Sequence, residues 1–305
     1  MKRQRRCLFP LLCGVLLWFL ADAEGVRAAA GDGLRLCARS VIPALFPFLA
    51  VTRLLLSLGF GQWLSPFLSG LMTPLFRLPG TAGSALVLGL VGGYPIGAST
   101  AGTLYRQGLL TRNEAERLLT FCNNSNPVFL ISVLGAGVFG SVRTGVWLWL
   151  LHLLSALLTG LLLRGRGAKQ PRRPPPSLPA QAPAAFSSAF VGAVRGAAEG
   201  MLSVCAFVVL FYVLVSPVRR LGGILAPLAA GAVELFSMTP LLTPDRFGFV
   251  LAAAMSGWGG LSVLCQTAAA LEGSGLPLRP CLLGKLVQGL LSAVLALVLS
   301  GYALP

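Results

Sequence analysis

Two stretches that could bind a polar solute interrupt apolar runs long enough to enter a bilayer. Residues 89–98 (GLVGGYPIGA) hold four glycines and Pro95. An unbroken helix is not expected there, because glycine costs backbone entropy and proline has no N–H donor. Residues 123–126 (NNSN) place four consecutive amide and hydroxyl side chains in a second run. Broken backbone and polar groups are tolerated at membrane depth only where they line a cavity or are buried in protein, so the two stretches predict a polar intramembrane site.

The composition is that of an integral membrane protein. Of the 305 residues, 55% are hydrophobic and 11% are charged, whereas a soluble chain carries about 25% charged residues. The net charge of +15 would also suit a nucleic-acid binder. Many of the cations, however, flank apolar runs, which is how a membrane protein anchors its cytoplasmic loops on anionic lipid. We therefore expect the lipid bilayer as a partner and no nucleic acid.

The sequence lacks the common catalytic and metal-binding motifs. Its seven cysteines are scattered without a C-x-x-C pair, and it has one histidine, His152. It has no H-E-x-x-H motif, no G-x-S-x-G elbow and no P-loop. We expect no catalytic residue, no metal and no cofactor, and therefore no enzyme. His152 lies in an apolar run and is interpreted as a packed or lipid-facing residue, with a functional intramembrane group as the alternative.

The elements that position the polar stretches fall into two halves around a linker that is rich in proline and arginine and has no acids. The expected organisation is an N-terminal transmembrane helix at 1–23, a first gate-like repeat at 24–163, a cytoplasmic linker at 164–185 and a second repeat at 186–305. A cleaved signal peptide is the alternative for the first part, because residues 21–23 (ADA) resemble a signal-peptidase site. Residues 24–40 are expected to form an interfacial helix, followed by a proline-kinked span at 41–58.

The second half repeats the first weakly. Residues 256–260 (SGWGG) match residues 92–96 (GGYPI), and Gly93 and Gly257 lie 164 positions apart. If the first span leaves the cytoplasm, the halves have opposite orientations, which is the arrangement of many secondary transporters. The expected fold is an all-α polytopic membrane protein with two weakly similar, inverted repeats, broken or re-entrant helices and about eight spans.

Paired broken helices offer half-helix N-termini, whose free N–H groups suit a carboxylate or another anion. Glu234 is an acid in an apolar context, so it is either a coupling or solute-contact residue or an interfacial one. A second interpretation of the glycines is that they only let helices pack closely. The residues expected to shape or line a solute site are Gly93, Tyr94, Pro95, Gly97, Thr100, Asn123, Asn124, Ser125, Gly257, Gly260, Ser262 and Gln266.

Several of these segments resemble one family. They are residues 43–48 (PALFPF), 93–98 (GYPIGA), 123–127 (NNSNP) and 259–262 (GGLS). Together they resemble the YlbJ (SpoVV) family of sporulation integral membrane proteins, over nearly the whole chain and in the same order. That family is built on the nucleoside-recognition gate domain, which concentrative nucleoside transporters and ferrous-iron permeases share.

The resemblance implies a role in endospore formation, in the mother-cell membrane around the forespore. The function it implies is transport of a small anionic solute, dipicolinic acid, with a second copy of the chain or other sporulation membrane proteins as partners. Two alternatives stay open. One is transport of a nucleoside or nucleobase, by analogy with the wider gate superfamily, and the other is a membrane scaffold that moves no solute.

Overall fold

The computed structural model describes residues 2–165 and 186–304, and every regular element in these ranges is helical. The helices before the linker are α1 (Lys2–Ala21), α2 (Ala23–Leu36), α3 (Ile42–Ser57), α4 (Phe60–Leu71), α5 (Gly83–Gly92), α6 (Ile96–Arg106), α7 (Arg112–Leu119) and α8 (Val142–Leu162). The helices after it are α9 (Phe186–Val215), α10 (Leu225–Val233), α11 (Leu235–Met238), α12 (Arg246–Trp258), α13 (Gly260–Ala270) and α14 (Arg279–Ala303). Segments of π-helix lie at Cys37–Val41, Met72–Phe76 and Phe129–Val138, and 3-10 turns lie at Gly80–Ala82, Val218–Arg220 and Thr239–Leu241. Apart from Arg164 and Gly165, the predicted linker lies outside the described residues.

Five helical stretches of the described chain are long and apolar enough to cross a membrane. They are Ala23–Ser57, Val142–Leu162, Phe186–Val215, Arg246–Ala270 and Arg279–Ala303. Phe60–Phe76 and Gly80–Gly92 meet at an angle of 98° and form either a sixth, broken span or a re-entrant loop. The chain is therefore an all-helical membrane protein, and the expected number of about eight spans is not confirmed.

The segment at residues 24–40 is not a separate interfacial helix. It continues through the π-helical Cys37–Val41 into α3, which gives one 35-residue helical stretch. Pro43 lies just after the π turn and cannot donate a backbone hydrogen bond, so the wider turn is where the helix adjusts to it. Gly33 packs on α9, where an added Cβ would lie 3.3 Å from the Cα atom of Val209. Close packing on α9 therefore keeps this stretch within the helical bundle.

The predicted helix breaks are present. α5 ends at Gly92 and α6 begins at Ile96, while α12 and α13 are separated by the left-handed Gly259. This second break does not divide the span, because α12 and α13 together form one stretch of 25 residues that is long and apolar enough to cross a membrane. A capping box begins α7, since the Thr111 N–H donates to Glu114 (2.8 Å) and the Glu114 N–H donates to the Thr111 hydroxyl (3.3 Å).

The backbone between α7 and the π-helical Phe129–Val138 runs through the protein interior. From Cys122 to Asn126 every residue is buried, and residues 123–126 have no regular structure. Glycines flank this interior segment on both sides. A Cβ at Gly89 or Gly97 would overlap the Cys122 carbonyl oxygen, and a Cβ at Gly284 of α14 would overlap the carbonyl oxygen of Thr120. Glycine thus lets α5, α6 and α14 approach the segment closely enough to enclose it.

Candidate solute site

A cavity of about 390 Å³ lies where the π turn Cys37–Val41, α3, α9, α13, the α5–α6 break and the interior segment come together. This volume lies within the range of small-molecule sites, about 300–1,000 Å³. Much of the wall is apolar and includes Phe48, Phe129 and Phe236. The polar wall residues are Arg39, Ser40, Tyr94, Ser125, Asn126, Glu234 and Gln266. Arg39 is also exposed, so the cavity reaches the protein surface at this residue.

Tyr94 connects the cavity wall to the second half of the chain. It follows Gly93, whose φ of 84° suits glycine, and it lies in the break between α5 and α6. Its hydroxyl donates to the carbonyl oxygen of Ser256 (3.0 Å) and accepts from the Lys285 ammonium (3.2 Å). The ring is 8% exposed and lines the cavity. The break therefore presents one face of Tyr94 to a solute and ties its hydroxyl to α12 and α14.

The two asparagine amides at 123 and 124 hold the interior segment in place and do not line the cavity. The Asn123 amide donates to the Thr267 hydroxyl of α13 (2.8 Å), and its carbonyl accepts from the Ala98 N–H of α6 (3.4 Å). The Asn124 amide donates to the Phe121 carbonyl (2.8 Å), and its own carbonyl accepts from Gln288 (2.9 Å). These bonds fix the backbone so that the next residue, Ser125, faces the cavity.

The sequence-predicted residues divide into a lining set and a supporting set. Four of them line the cavity: Tyr94, Ser125, Glu234 and Gln266. Nine do not: Gly93, Pro95, Gly97, Thr100, Asn123, Asn124, Gly257, Gly260 and Ser262. Ser262 accepts a hydrogen bond from Gln266 (3.2 Å), whereas the buried Thr100 hydroxyl has no partner among the described residues. A Cβ at Gly257 would lie 2.7 Å from the Ser292 hydroxyl of α14, so this glycine serves close helix packing.

Glu234 is 2% exposed and occupies the break between α10 and α11. One carboxylate oxygen accepts from the Phe236 N–H (3.1 Å) and the other from the Ser237 N–H (2.6 Å). Glu234 therefore caps α11 while it lines the cavity. The side chain is therefore enclosed by protein and serves both as a helix cap and as part of the cavity wall.

Lys285 was missed by sequence reasoning and is completely buried in α14. Its ammonium donates to Gln288 (2.5 Å) and to the Tyr94 hydroxyl (3.2 Å), and it lies 4.9 Å from the centre of the Tyr94 ring. Neither hydrogen-bond partner is a carboxylate. Burying an unpaired ammonium costs several kcal/mol, which makes this position unusual in a membrane span. The signal for it was present, because Lys285 is the only charged residue after Arg279.

His152 belongs to the same polar network. It is 2% exposed, and its Nε2 accepts from the Ser125 backbone N–H (3.1 Å) and lies 3.4 Å from the Gln288 amide nitrogen. Since Gln288 also donates to Asn124, α8 and α14 are joined to the interior segment through one glutamine. His152 is thus a packed residue, as interpreted from the sequence, and it also orients the backbone at the cavity wall.

Known proteins support the predicted resemblance. Residues 38–144 match the family model described as Gate: Nucleoside recognition. The chain is 28% identical over 312 residues to the sporulation integral membrane protein YlbJ of Bacillus subtilis (strain 168), and the alignment covers 89% of this chain and 76% of that protein. No solved structure matches the chain. The match to a gate domain and the similarity to YlbJ confirm the resemblance that the sequence segments indicated.

Proposed function

We propose that this membrane protein, which is similar to YlbJ and contains a gate-domain match, moves a small anionic metabolite through its central cavity. Because the similar protein YlbJ is a sporulation membrane protein, we propose that this chain acts in endospore formation, in the mother-cell membrane around the forespore. The solute that we propose for this role is dipicolinate. The observation that carries the transport proposal is a solute-sized cavity with amide, hydroxyl and charged side chains in its wall. A scaffold has no need to bury such groups, because each costs free energy when it is removed from water.

The cavity chemistry suits a planar carboxylate. Ser125 and Gln266 supply hydrogen-bond donors, and the guanidinium of Arg39 can form paired, charge-assisted hydrogen bonds with a carboxylate. The rings of Phe129 and Phe236 pack edge to face at 4.7 Å and offer an aromatic wall to a flat ring. The aromatic wall would contact the ring of the solute, while the polar groups would bind its carboxylate.

The proposed mechanism is alternating access between two related halves. α6 and α13 each have 11 residues, and their first residues lie 164 positions apart. Asn124 and Gln288 are also 164 positions apart, and they form a direct hydrogen bond of 2.9 Å across the centre of the molecule. These relations support two inverted repeats that enclose the cavity between them.

Nucleoside transport is the second candidate, and Glu234 favours it. Its carboxylate faces the cavity and would repel a dianion, whereas it could accept hydrogen bonds from sugar hydroxyls or base amino groups. The description of the matching domain as nucleoside recognition points in the same direction.

The test is uptake of labelled dipicolinate and labelled uridine into proteoliposomes that contain the purified protein. Gln266→Leu removes a polar wall residue, and Gln62→Leu makes the same change at an exposed glutamine outside the cavity. Dipicolinate flux that falls at least tenfold in Gln266→Leu and persists in Gln62→Leu supports the proposal. Uridine flux alone would assign the protein to the nucleoside class. No flux of either solute through folded protein would favour the scaffold.

A further inference from the structure

The buried ammonium of Lys285 has no role in the solute contacts described above. The groups that face it come from four elements. They are Tyr94 from the α5–α6 break, Cys122 from the interior segment, His152 from α8, and Cys281 and Gln288 from α14 itself. None of these groups is a carboxylate. Within residues 2–165 and 186–304, the charge of Lys285 is therefore stabilised by neutral oxygen atoms and by the face of one aromatic ring, without a carboxylate contact.

The free energy of such a cation depends on what occupies the cavity. With an empty cavity, the low-dielectric surroundings make the ammonium less stable than it is in water. With an anion in the cavity, the attraction between opposite charges favours the ammonium, and this attraction is weakly screened inside the protein. Because binding linkage is reciprocal, protonation of Lys285 must raise the affinity for the anion by the same factor.

Tyr94 provides the physical connection between the two sites. Its hydroxyl oxygen accepts the hydrogen bond from Lys285, and the same side chain lines the cavity. An anion that contacts Tyr94 therefore lies one side chain away from the ammonium.

We propose that Lys285 is the proton-binding residue that couples movement of the anion to movement of a proton. This inference rests on the proposed transport function. Lys285 does not itself line the cavity, so in each open state of the cycle the proton passes between the cavity solvent and its amine at the Tyr94 contact, and the amine takes up this proton when the anion binds. The N–H bond breaks and the proton returns to solvent on the other side when the anion leaves, so one proton crosses with each anion.

Glu234 is the competing proton carrier, since the sequence analysis assigned coupling to it. In the structure burial raises the pKa of Glu234, while both of its carboxylate oxygens accept backbone N–H groups at the start of α11, and these two bonds oppose protonation. Lys285 has no partner of opposite charge in the part of the chain that the structure describes. Because Glu234 already caps α11 through both carboxylate oxygens, we assign the proton to the lysine.

The experiment separates exchange from coupled accumulation in proteoliposomes with the membrane potential clamped at zero. Counterflow measures exchange of labelled for unlabelled dipicolinate without net proton movement. Accumulation is then driven by a gradient of one pH unit, alkaline inside, and for one proton per solute we expect about tenfold accumulation. Lys285→Met should retain counterflow at saturating dipicolinate, with a higher half-saturation concentration because its side chain is uncharged, and should lose accumulation. Lys285→Arg should also retain counterflow and lose accumulation, because arginine keeps a charge that it does not release.

Arg279→Gln is the matched control, since it removes an exposed cation at the start of the same helix. It should accumulate dipicolinate as the wild type does. The proposal is overturned if folded Lys285→Met or Lys285→Arg still accumulates tenfold, if both variants lose counterflow, or if Glu234→Gln alone abolishes accumulation. Wild-type counterflow without accumulation would also overturn it while leaving the proposed function intact. Absence of wild-type counterflow would refute the proposed function itself.

Discussion

The enclosure of the interior segment by glycines leads to a quantitative prediction for Gly284→Ala. The added Cβ would overlap the carbonyl oxygen of Thr120, and it would lie 2.5 Å from the carbonyl carbon and 2.6 Å from the Cα atom of the same residue. All three are backbone atoms, so no side-chain rotation can relieve the overlap. Overpacking of this kind destabilises a protein by about 1–3 kcal/mol. Because two bonded carbonyl atoms and a Cα atom must move together, we expect the upper end of that range.

The same helix provides the control. Gly301 of α14 has open space around the position of a Cβ. Gly301→Ala should therefore stabilise the protein slightly, by up to about 1 kcal/mol, since alanine loses less backbone entropy than glycine in a helix. Gly284→Ala gains the same stabilisation from helix propensity, about 1 kcal/mol, which offsets part of the overpacking cost of about 3 kcal/mol. Its net destabilisation should therefore be about 2 kcal/mol.

The measurement is reversible unfolding of the purified protein in mixed micelles of increasing SDS content, followed by tryptophan fluorescence. The two variants should differ by about 3 kcal/mol in free energy of unfolding. Equal stabilities for Gly284→Ala and Gly301→Ala would refute the reasoning, because they would mean that the segment after α7 does not pass against α14.

Three further predictions follow from single contacts. Gln288→Leu should lower the free energy of unfolding by about 2 kcal/mol in the same assay, because it leaves the ammonium of Lys285 and the carbonyl of Asn124 without their partner. Thr111→Ala should remove the cap of α7 and cost about 1 kcal/mol by the same measurement. The Gly248 N–H lowers the pKa of Asp245, which caps α12. The ionised Asp245 carboxylate contributes fully to stability above the unfolded pKa of about 3.9, and this contribution is lost as the pH falls through the lower folded pKa. The melting temperature should therefore fall less with acid in Asp245→Asn than in the wild type.

Local features of the fold were predictable because local chemistry determines them. The break before Ile96 follows from glycine and proline in one short stretch, and the start of α7 follows from the Thr111 capping box. The last span, Arg279–Ala303, is recognisable in the sequence from its apolar length alone. Residues 24–40 were misassigned because their arginines indicated an interface, whereas packing of Gly33 on α9 keeps them in a continuous helix.

The site was only partly predictable because its contacts join residues far apart in the chain. The hydrogen bond from Lys285 to Tyr94 spans 191 positions, and no periodic pattern in the sequence encodes it. Asn123 was expected to bind solute because an amide can serve a ligand or a backbone equally well, and only the tertiary structure pairs it with Thr267. Ser125 was assigned to the site for the same reason and does line the cavity.

The close glycine contacts around the interior segment also limit how the cavity can open. α5, α6 and α14 hold the segment by backbone contact, so these elements must move together as one block. The opposite wall has a different construction, since the helix that carries Arg39 contains the π-helical turn Cys37–Val41 where it meets the cavity. A π turn is a common point of bending in a helix. We therefore expect the cavity to open by bending of this turn. In that motion α3 and α9 move, while the block around Tyr94 stays in place.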